Sequence, residues 1–162
     1  FTLQATDGKR YTFHSFTKDY LVIVFMCNHC PYVIAYLDRI KQLAIEFPQV
    51  QFIGIIANDS VAYPQDSFPH MKRFAEEKQL SFPYLYDETQ EVAKAFHALL
   101  TPHVMIVGKD RTLVYNGGID DNYEQPDAVQ EYYLKNALTA LISGQEPRQA
   151  ETPCVGCSIK WK

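Results

Sequence analysis

The sequence predicts an α/β fold, with a mixed central sheet flanked by helices and an N-terminal β-hairpin. Three observations predict it. Residues 20–26 (YLVIVFM) and 50–56 (VQFIGII) are short apolar runs of the kind buried on both faces of a parallel sheet, and each is followed by a helical pattern. Residues 103–107 and 113–115 are apolar, β-prone and separated by a Gly-Lys-Asp turn, so they are expected to close the sheet as an antiparallel pair. Near the start, Asp7-Gly8 supplies the positive φ of a tight hairpin turn between residues 1–5 and 11–13.

The helices follow from periodicity and end signals. Pro31 suits a first helical turn, and Val33, Leu37, Ile40, Ala44 and Phe47 then recur at steps of four and three. A charged helix is expected over 68–79, then a short strand at 83–86. Asp87 is expected to cap a helix running through Phe96, with Gln90 completing a capping-box-like pair. The last helix is expected over 127–142, with Val129, Tyr133, Ala137 and Leu141 on or near one face. Residues 1–143 are read as one domain and 144–162 as a flexible C-terminal tail carrying a second Cys-x-x-Cys.

Composition bounds the function. The 162 residues are 47% hydrophobic and 21% charged, which is ordinary for a globular domain and excludes wholesale disorder. Fifteen Lys and Arg against nineteen Asp and Glu give a net charge of −4, so neither nucleic acid nor an anionic membrane surface is an expected partner. The longest apolar run, residues 20–27, is far short of the roughly 20 residues a membrane helix needs. The chain begins at Phe1, read as a processed or trimmed start; the cytoplasm is the expected compartment, with an exported location left open. Oligomeric state is not encoded in any feature of the sequence.

The four cysteines fall into two pairs of identical spacing, Cys27/Cys30 and Cys154/Cys157. The first pair sits where a buried strand ends and a helix begins. Its leading sulfur is expected to meet unpaired backbone N–H groups and the positive end of the helix dipole, lowering a thiol pKa that is ~8.5 when free. Cys27 is thus the expected nucleophile and Cys30, one turn on, the resolving cysteine. His29 between them adds an imidazole that favours the thiolate when protonated. Two small buried apolar residues, or half of a zinc site, are the competing readings of this pair.

Thr101-Pro102 opens a strand, and a cis bond there would present the Thr101 backbone to an extended substrate chain. Asp59, in the loop after the second buried strand, is a candidate proton acceptor for Cys30. Cys154 and Cys157 read as a second redox pair if the tail folds back, or as a local disulfide or free thiols if it does not. Trp161 offers an apolar anchor for that tail. Gly117, Gly118, Asp120 and Asp121 read as turn chemistry, the glycines supplying positive φ.

The segments YLVIVFM, CNHCP at 27–31, ANDS…YPQDSF, FPYLYDETQEVAKAF, TPHVMIV, GGIDDNY and GCSIKWK at 156–162 resemble, in order and over nearly the whole chain, the thioredoxin-like redoxin group labelled alkyl hydroperoxide reductase/thiol-specific antioxidant (AhpC/TSA). The resemblance implies a thioredoxin fold, disulfide exchange at Cys27 and Cys30, and a cis proline at Pro102. Two departures count. Met26 stands where thioredoxin has tryptophan, and the segment ending at Cys27 lacks the Pro-x-x-x-Thr-x-x-Cys of true peroxiredoxins. The leading expectation is therefore a cofactor-free thiol-disulfide oxidoreductase acting on protein or small-molecule disulfides and dithiols. A copper- or zinc-binding thioredoxin-like protein using Cys27, Cys30 and His103 is the alternative from another class. A zinc site joining all four cysteines and a thiol peroxidase rank behind it.

Overall fold

The computed structural model describes residues 1–162. In chain order its elements are β1 (Thr2–Ala5), β2 (Arg10–Thr12), β3 (Leu21–Phe25), α1 (Pro31–Glu46), β4 (Gln51–Ile56), α2 (Phe68–Glu77), β5 (Tyr84–Tyr86), α3 (Glu91–Ala95), β6 (Leu100–Thr101), β7 (His103–Val107), β8 (Leu113–Gly117), α4 (Tyr133–Ile142) and β9 (Cys157–Ser158). Seven strands form one mixed sheet in the order β2-β1-β5-β4-β3-β7-β8, and β6 pairs with β9 in a small second sheet. The pairs β3/β4 and β4/β5 are parallel; β3/β7, β7/β8, β1/β5 and β1/β2 are antiparallel.

The uninterrupted apolar character of β3 has a direct cause. Val22 and Val24 enter a core shared with α1, α2 and α4, while Leu21, Ile23 and Phe25 enter a second core on the opposite face with α3 and the N-terminal hairpin. All five are buried, each side chain contributing about 1.5–3 kcal/mol of apolar transfer relative to exposure. A strand sandwiched in this way cannot slip by one residue without losing both cores. The ladder runs one step past β3, with Met26 N–H donating to Ile55 O at 2.9 Å. Cys27 is therefore fixed at the lip of the sheet.

Two helices depart from expectation. α4 starts at Tyr133 instead of 127, because residues 126–128 form a 3₁₀ turn and the next stretch is tied to the preceding loop. Gln130 N–H donates to Asp121 Oδ1 at 3.0 Å and Asp121 N–H to Glu131 O at 3.2 Å. α3 is a single short turn from Glu91. Asp87 does cap it, its carboxylate accepting the N–H groups of Val92 and Ala93, but no capping box forms. The Gln90 amide is spent on Ala57 O and Lys160 O at 2.8 and 2.9 Å.

The glycines at 117 and 118 are not turn formers, since neither has positive φ; among the glycines only Gly8 and Gly144 do. Each allows a close approach instead. A Cβ on Gly117 would lie 2.0 Å from Thr152 Oγ1, and one on Gly118 would lie 2.5 Å from Pro153 O. The C-terminal segment runs over this bare backbone, with Asn116 N–H donating to Ala150 O and Thr152 N–H to Asn116 O. From Ala150 onward the C-terminal segment is thus laid against the sheet rather than hanging free.

Asp120, just beyond Gly118, is buried and receives Arg39 Nη1 at 2.7 Å and the Tyr36 hydroxyl at 3.1 Å. The same guanidinium donates to the carbonyls of Asn122 and Tyr123, fastening this loop to α1. Removing one partner of a buried charge pair strands the other. Arg39→Ala is expected to cost about 3 kcal/mol of folding stability, read as a lowered urea midpoint with an unchanged m-value. A loss below about 1 kcal/mol would show that water reaches Asp120 in the folded protein.

Candidate active site

The strand-to-helix junction places Cys27 after β3 and makes Cys30 the N-cap of α1, with Pro31 at its first position. Proline has no N–H to leave unpaired there, so the 16-residue helix starts cleanly beneath the second sulfur. Both cysteines are 1% exposed. The intervening Asn28-His29 turn is strapped to the loop after β4. Asn28 N–H donates to Asp66 Oδ1, the Asn28 amide to Gln65 O, and the Tyr84 hydroxyl to Asn28 Oδ1, all at 2.8–2.9 Å.

Across the site lies Thr101-Pro102, whose peptide bond is cis. Thr101 Oγ1 is 3.7 Å from Cys27 Sγ, and Thr101 O is 3.3 Å from Cys30 Sγ. The edge of Thr101 is already filled by β9, with Thr101 opposite Cys157 and Leu100 opposite Ser158 in antiparallel register. This brings Cys157 Sγ to 2.8 Å from Cys30 Sγ, while the Cys154 thiol donates to Pro102 O at 3.1 Å. All four cysteines are free thiols. Three of the four sulfurs predicted from sequence, those of Cys27, Cys30 and Cys157, therefore meet around Thr101, and Cys154 stands beside Pro102.

The electrostatics with β9 in place differ from the sequence expectation. The Cys27 thiol is pushed well above its ordinary range: it keeps its proton in a hydrogen bond to Cys30, it is buried, and the Asp66 carboxylate opposes a second negative charge. Cys30 is lowered, first by that same hydrogen bond and further by the Cys157 thiol, against the cost of burial. The helix N-terminus and the neighbouring thiols thus favour charge on Cys30. Burial raises Cys154 and Cys157 to about 11 each.

Asp59 is not the carboxylate of the site. Its Oδ1 caps Val61 N–H at 3.0 Å, a local turn contact. The buried carboxylate is Asp66, 0% exposed, which accepts from Asn28 N–H and the Asn58 amide and lies 2.9 Å from His29 Nδ1. The sequence places Tyr63, Pro64 and Asp66 on the rim of the site beside Asp59, but nothing local marks Asp66 as the loop acid that folds inward. His29 is partly exposed, its ring 2.9 Å from Asp66 and stacked on Tyr63 at 6.4 Å between centroids, and its backbone N–H favours charge on Cys27.

The copper set of Cys27, Cys30 and His103 is not assembled. His103 Nδ1 accepts from Leu99 N–H at 3.3 Å and Nε2 lies 2.6 Å from Asn116 Oδ1, so both ring nitrogens are committed elsewhere. Nor do the four cysteines form a cage. The trio whose ligand atoms all lie within 4.8 Å of one another is Cys27, His29 and Asp66. Since Asp66 already accepts two hydrogen bonds and pairs with the His29 ring, this grouping fits a carboxylate that orients His29 better than a metal centre. Trp161 is also not the anchor of the tail, being 41% exposed with Lys94 Nζ 5.8 Å from its ring centroid. Ile159 takes that role, 3% exposed in the core beside α3.

With this geometry in view, residues 1–116 match the AhpC/TSA family model. The chain belongs to the AhpC/TSA family. Among solved structures it is similar to an uncharacterized conserved protein from Geobacillus kaustophilus, at 41% identity and a TM-score of 0.92 over 100% of this chain and 88% of that one. A hypothetical protein from Sinorhizobium meliloti 1021 is similar at 28% identity and a TM-score of 0.91 over 100% and 91%. A secreted Mycobacterium tuberculosis disulfide oxidoreductase homologous to E. coli DsbE shares the thioredoxin-like fold at 22% identity, with a TM-score of 0.60 over 70% and 79%. No curated protein matches the chain. The AhpC/TSA assignment and the thioredoxin-like fold make this a redoxin.

Two measurements check the site. Iodoacetamide should modify Cys27 of the intact chain more slowly than a free peptide cysteine at pH 8. Gly156→Val, which drives a side chain into Thr101 O, should raise that rate about tenfold, equivalent to 1.4 kcal/mol. Fast Cys27 alkylation in the intact chain would contradict the covered, protonated thiol. The second concerns His103, whose pKa burial lowers from 6.5. The unfolded chain then binds a proton that the folded one resists, so stability is full above about pH 6.5 and falls as pH drops below it. In urea titrations between pH 7.5 and 5, His103→Gln should flatten that decline; an unchanged slope would assign it to other groups.

Proposed function

We propose that this redoxin is a thiol-disulfide oxidoreductase whose redox couple is Cys27/Cys30, acting on protein or small-molecule disulfides and dithiols. The observation that carries the proposal is the pairing of an extended chain, β9, with Thr101 such that it delivers a cysteine sulfur to the couple. An external disulfide-bearing chain would use the same backbone edge after β9 withdraws. At Cys27 the His29 backbone N–H and the Thr101 hydroxyl favour the thiolate, against the hydrogen bond to Cys30, burial and the Asp66 carboxylate. Cys27 then attacks the external disulfide, and Cys30 displaces the bound partner, leaving a Cys27–Cys30 disulfide and a reduced partner. The reverse sequence oxidises a dithiol with the same atoms. Asp66 holds the His29 ring and the Asn28 backbone, so the turn between the two sulfurs keeps its shape through the cycle.

A thiol peroxidase reading has family support, but this site does not carry the peroxiredoxin motif before Cys27. The measurement that tests the proposal is reduction of insulin and glutathione disulfide by the full chain. Cys27→Ser should abolish turnover, and Cys30→Ser should accumulate a mixed disulfide on Cys27 that mass spectrometry identifies. A trapped partner on Cys30 of Cys27→Ser would instead invert the two roles. Activity surviving both substitutions would remove the couple from the mechanism.

A further inference from the structure

The segment that covers the couple is held in a single register. A Cβ on Gly156 would fall 2.2 Å from Thr101 O, a backbone atom that cannot yield, so only glycine lets the chain approach this closely. Beyond β9, Ile159 N–H donates to Leu99 O at 3.0 Å and the Ile159 side chain is buried. Lys160 N–H then donates to Asn58 Oδ1 at 2.9 Å, and Lys160 O accepts from Asp59 N–H at 2.8 Å. Lys162 N–H ends the strap on Gln90 Oε1 at 3.1 Å. These contacts flank Cys157 on its C-terminal side and fix its register. The sulfur is therefore presented to Cys30 by the fold, not by a chance excursion of a loose end.

Exposure separates the two pairs. Cys27 and Cys30 are sealed at 1% each, whereas Cys154 and Cys157 are only half-buried. With β9 docked, a reagent in solution has more access to the tail pair than to the couple beneath it.

We propose that Cys157 is a third redox cysteine, a resident exchange partner that takes the disulfide from the Cys27/Cys30 couple and hands it to Cys154, so that an external dithiol reduces the protein at its tail. The inference rests on the reading of Cys27 and Cys30 as the redox couple. In the first step the Cys157 thiolate attacks Cys30 Sγ of the Cys27–Cys30 disulfide. The Cys30–Cys157 bond forms, the Cys27–Cys30 bond breaks, and Cys27 leaves as a thiolate that takes up a proton in surroundings that favour its neutral form. In the second step the Cys154 thiolate attacks Cys157 Sγ. The Cys154–Cys157 bond forms and Cys30 leaves as a thiolate and is protonated from solvent.

Two thiol protons are lost by the tail pair and two gained by the couple, so no net oxidation occurs. The external dithiol then supplies the two electrons that reduce the Cys154–Cys157 disulfide, becoming a disulfide itself. Cys154 must leave Pro102 O for the second step, turning about Gly156, the least restricted residue of the segment. The order of sulfur contacts, Cys27 to Cys30 to Cys157, is the order of the transfers.

The relay is tested by oxidising full-length protein with glutathione disulfide, blocking free thiols at timed intervals and mapping the disulfides by mass spectrometry. A double variant with Cys27→Ser and Cys154→Ser retains Cys30 and Cys157, and is expected to close one intramolecular disulfide at least about tenfold faster than a double variant with Cys30→Ser and Cys154→Ser, because only the first holds its sulfurs at contact. Gly156→Val added to the faster variant should abolish that advantage. In protein otherwise unchanged, Cys157→Ser should make reduction of the Cys27–Cys30 disulfide by dithiothreitol about tenfold slower, with an unaltered thermal midpoint as the check on folding. Equal closure rates in the two double variants, or wild-type reduction kinetics in Cys157→Ser, would overturn the relay. Absence of any Cys27–Cys30 disulfide in oxidised wild-type protein would instead sink the couple itself, and the same maps show which has failed.

Discussion

The antiparallel pairing of Thr101 with Cys157 is the contact on which the rest of the site depends. It lays the C-terminal segment beside the two buried cysteines and sets a third sulfur against the second. Backbone pairing is strict about register, and here one residue of slip would turn Cys157 away from Cys30. Gly156 and Ile159 enforce that register from either side, the first by allowing backbone contact and the second by filling a place in the core beside α3. A covalent fastening is not needed where geometry alone excludes the neighbouring alignments.

The same contact decides where charge resides. A thiol at the start of a helix would ordinarily profit from the helix dipole and the free N–H groups. Here Cys27 is raised first by its hydrogen bond to Cys30, then by burial and by the facing Asp66 carboxylate, while Cys30 is lowered by that same hydrogen bond and further by the Cys157 thiol. Docking bears on the couple through Cys30, whose charged form the docked Cys157 thiol favours.

Much of the framework was legible because its causes are local. The run at 20–26 reads as a doubly buried strand since every one of its side chains meets a core, and the steps of three and four from Val33 onward mark the inward face of α1. The turn at Gly8 and the strand pair β7/β8 were equally readable. Errors gathered where distant chain segments compete for the same groups. Gln90 has the spacing of a cap, yet the Lys160 carbonyl, seventy positions away, claims its amide. Gly117 and Gly118 have the composition of a turn, yet serve the passage of Thr152 and Pro153. Asp59 and Asp66 are both acids in one polar loop, and only the folded loop decides that the second faces inward.

By itself the sequence determined an α/β domain with a cysteine pair at a strand-to-helix junction, because periodicity, turn residues and spacing act within a few residues of one another. Tertiary structure alone decided which carboxylate neighbours the thiols, that His103 is occupied by Asn116 and Leu99, and that the second cysteine pair lies over the first. The physical reason is that desolvation and charge depend on what packs against a group from across the molecule. No spacing along the chain records that Cys157 would lie 2.8 Å from Cys30, 127 residues before it.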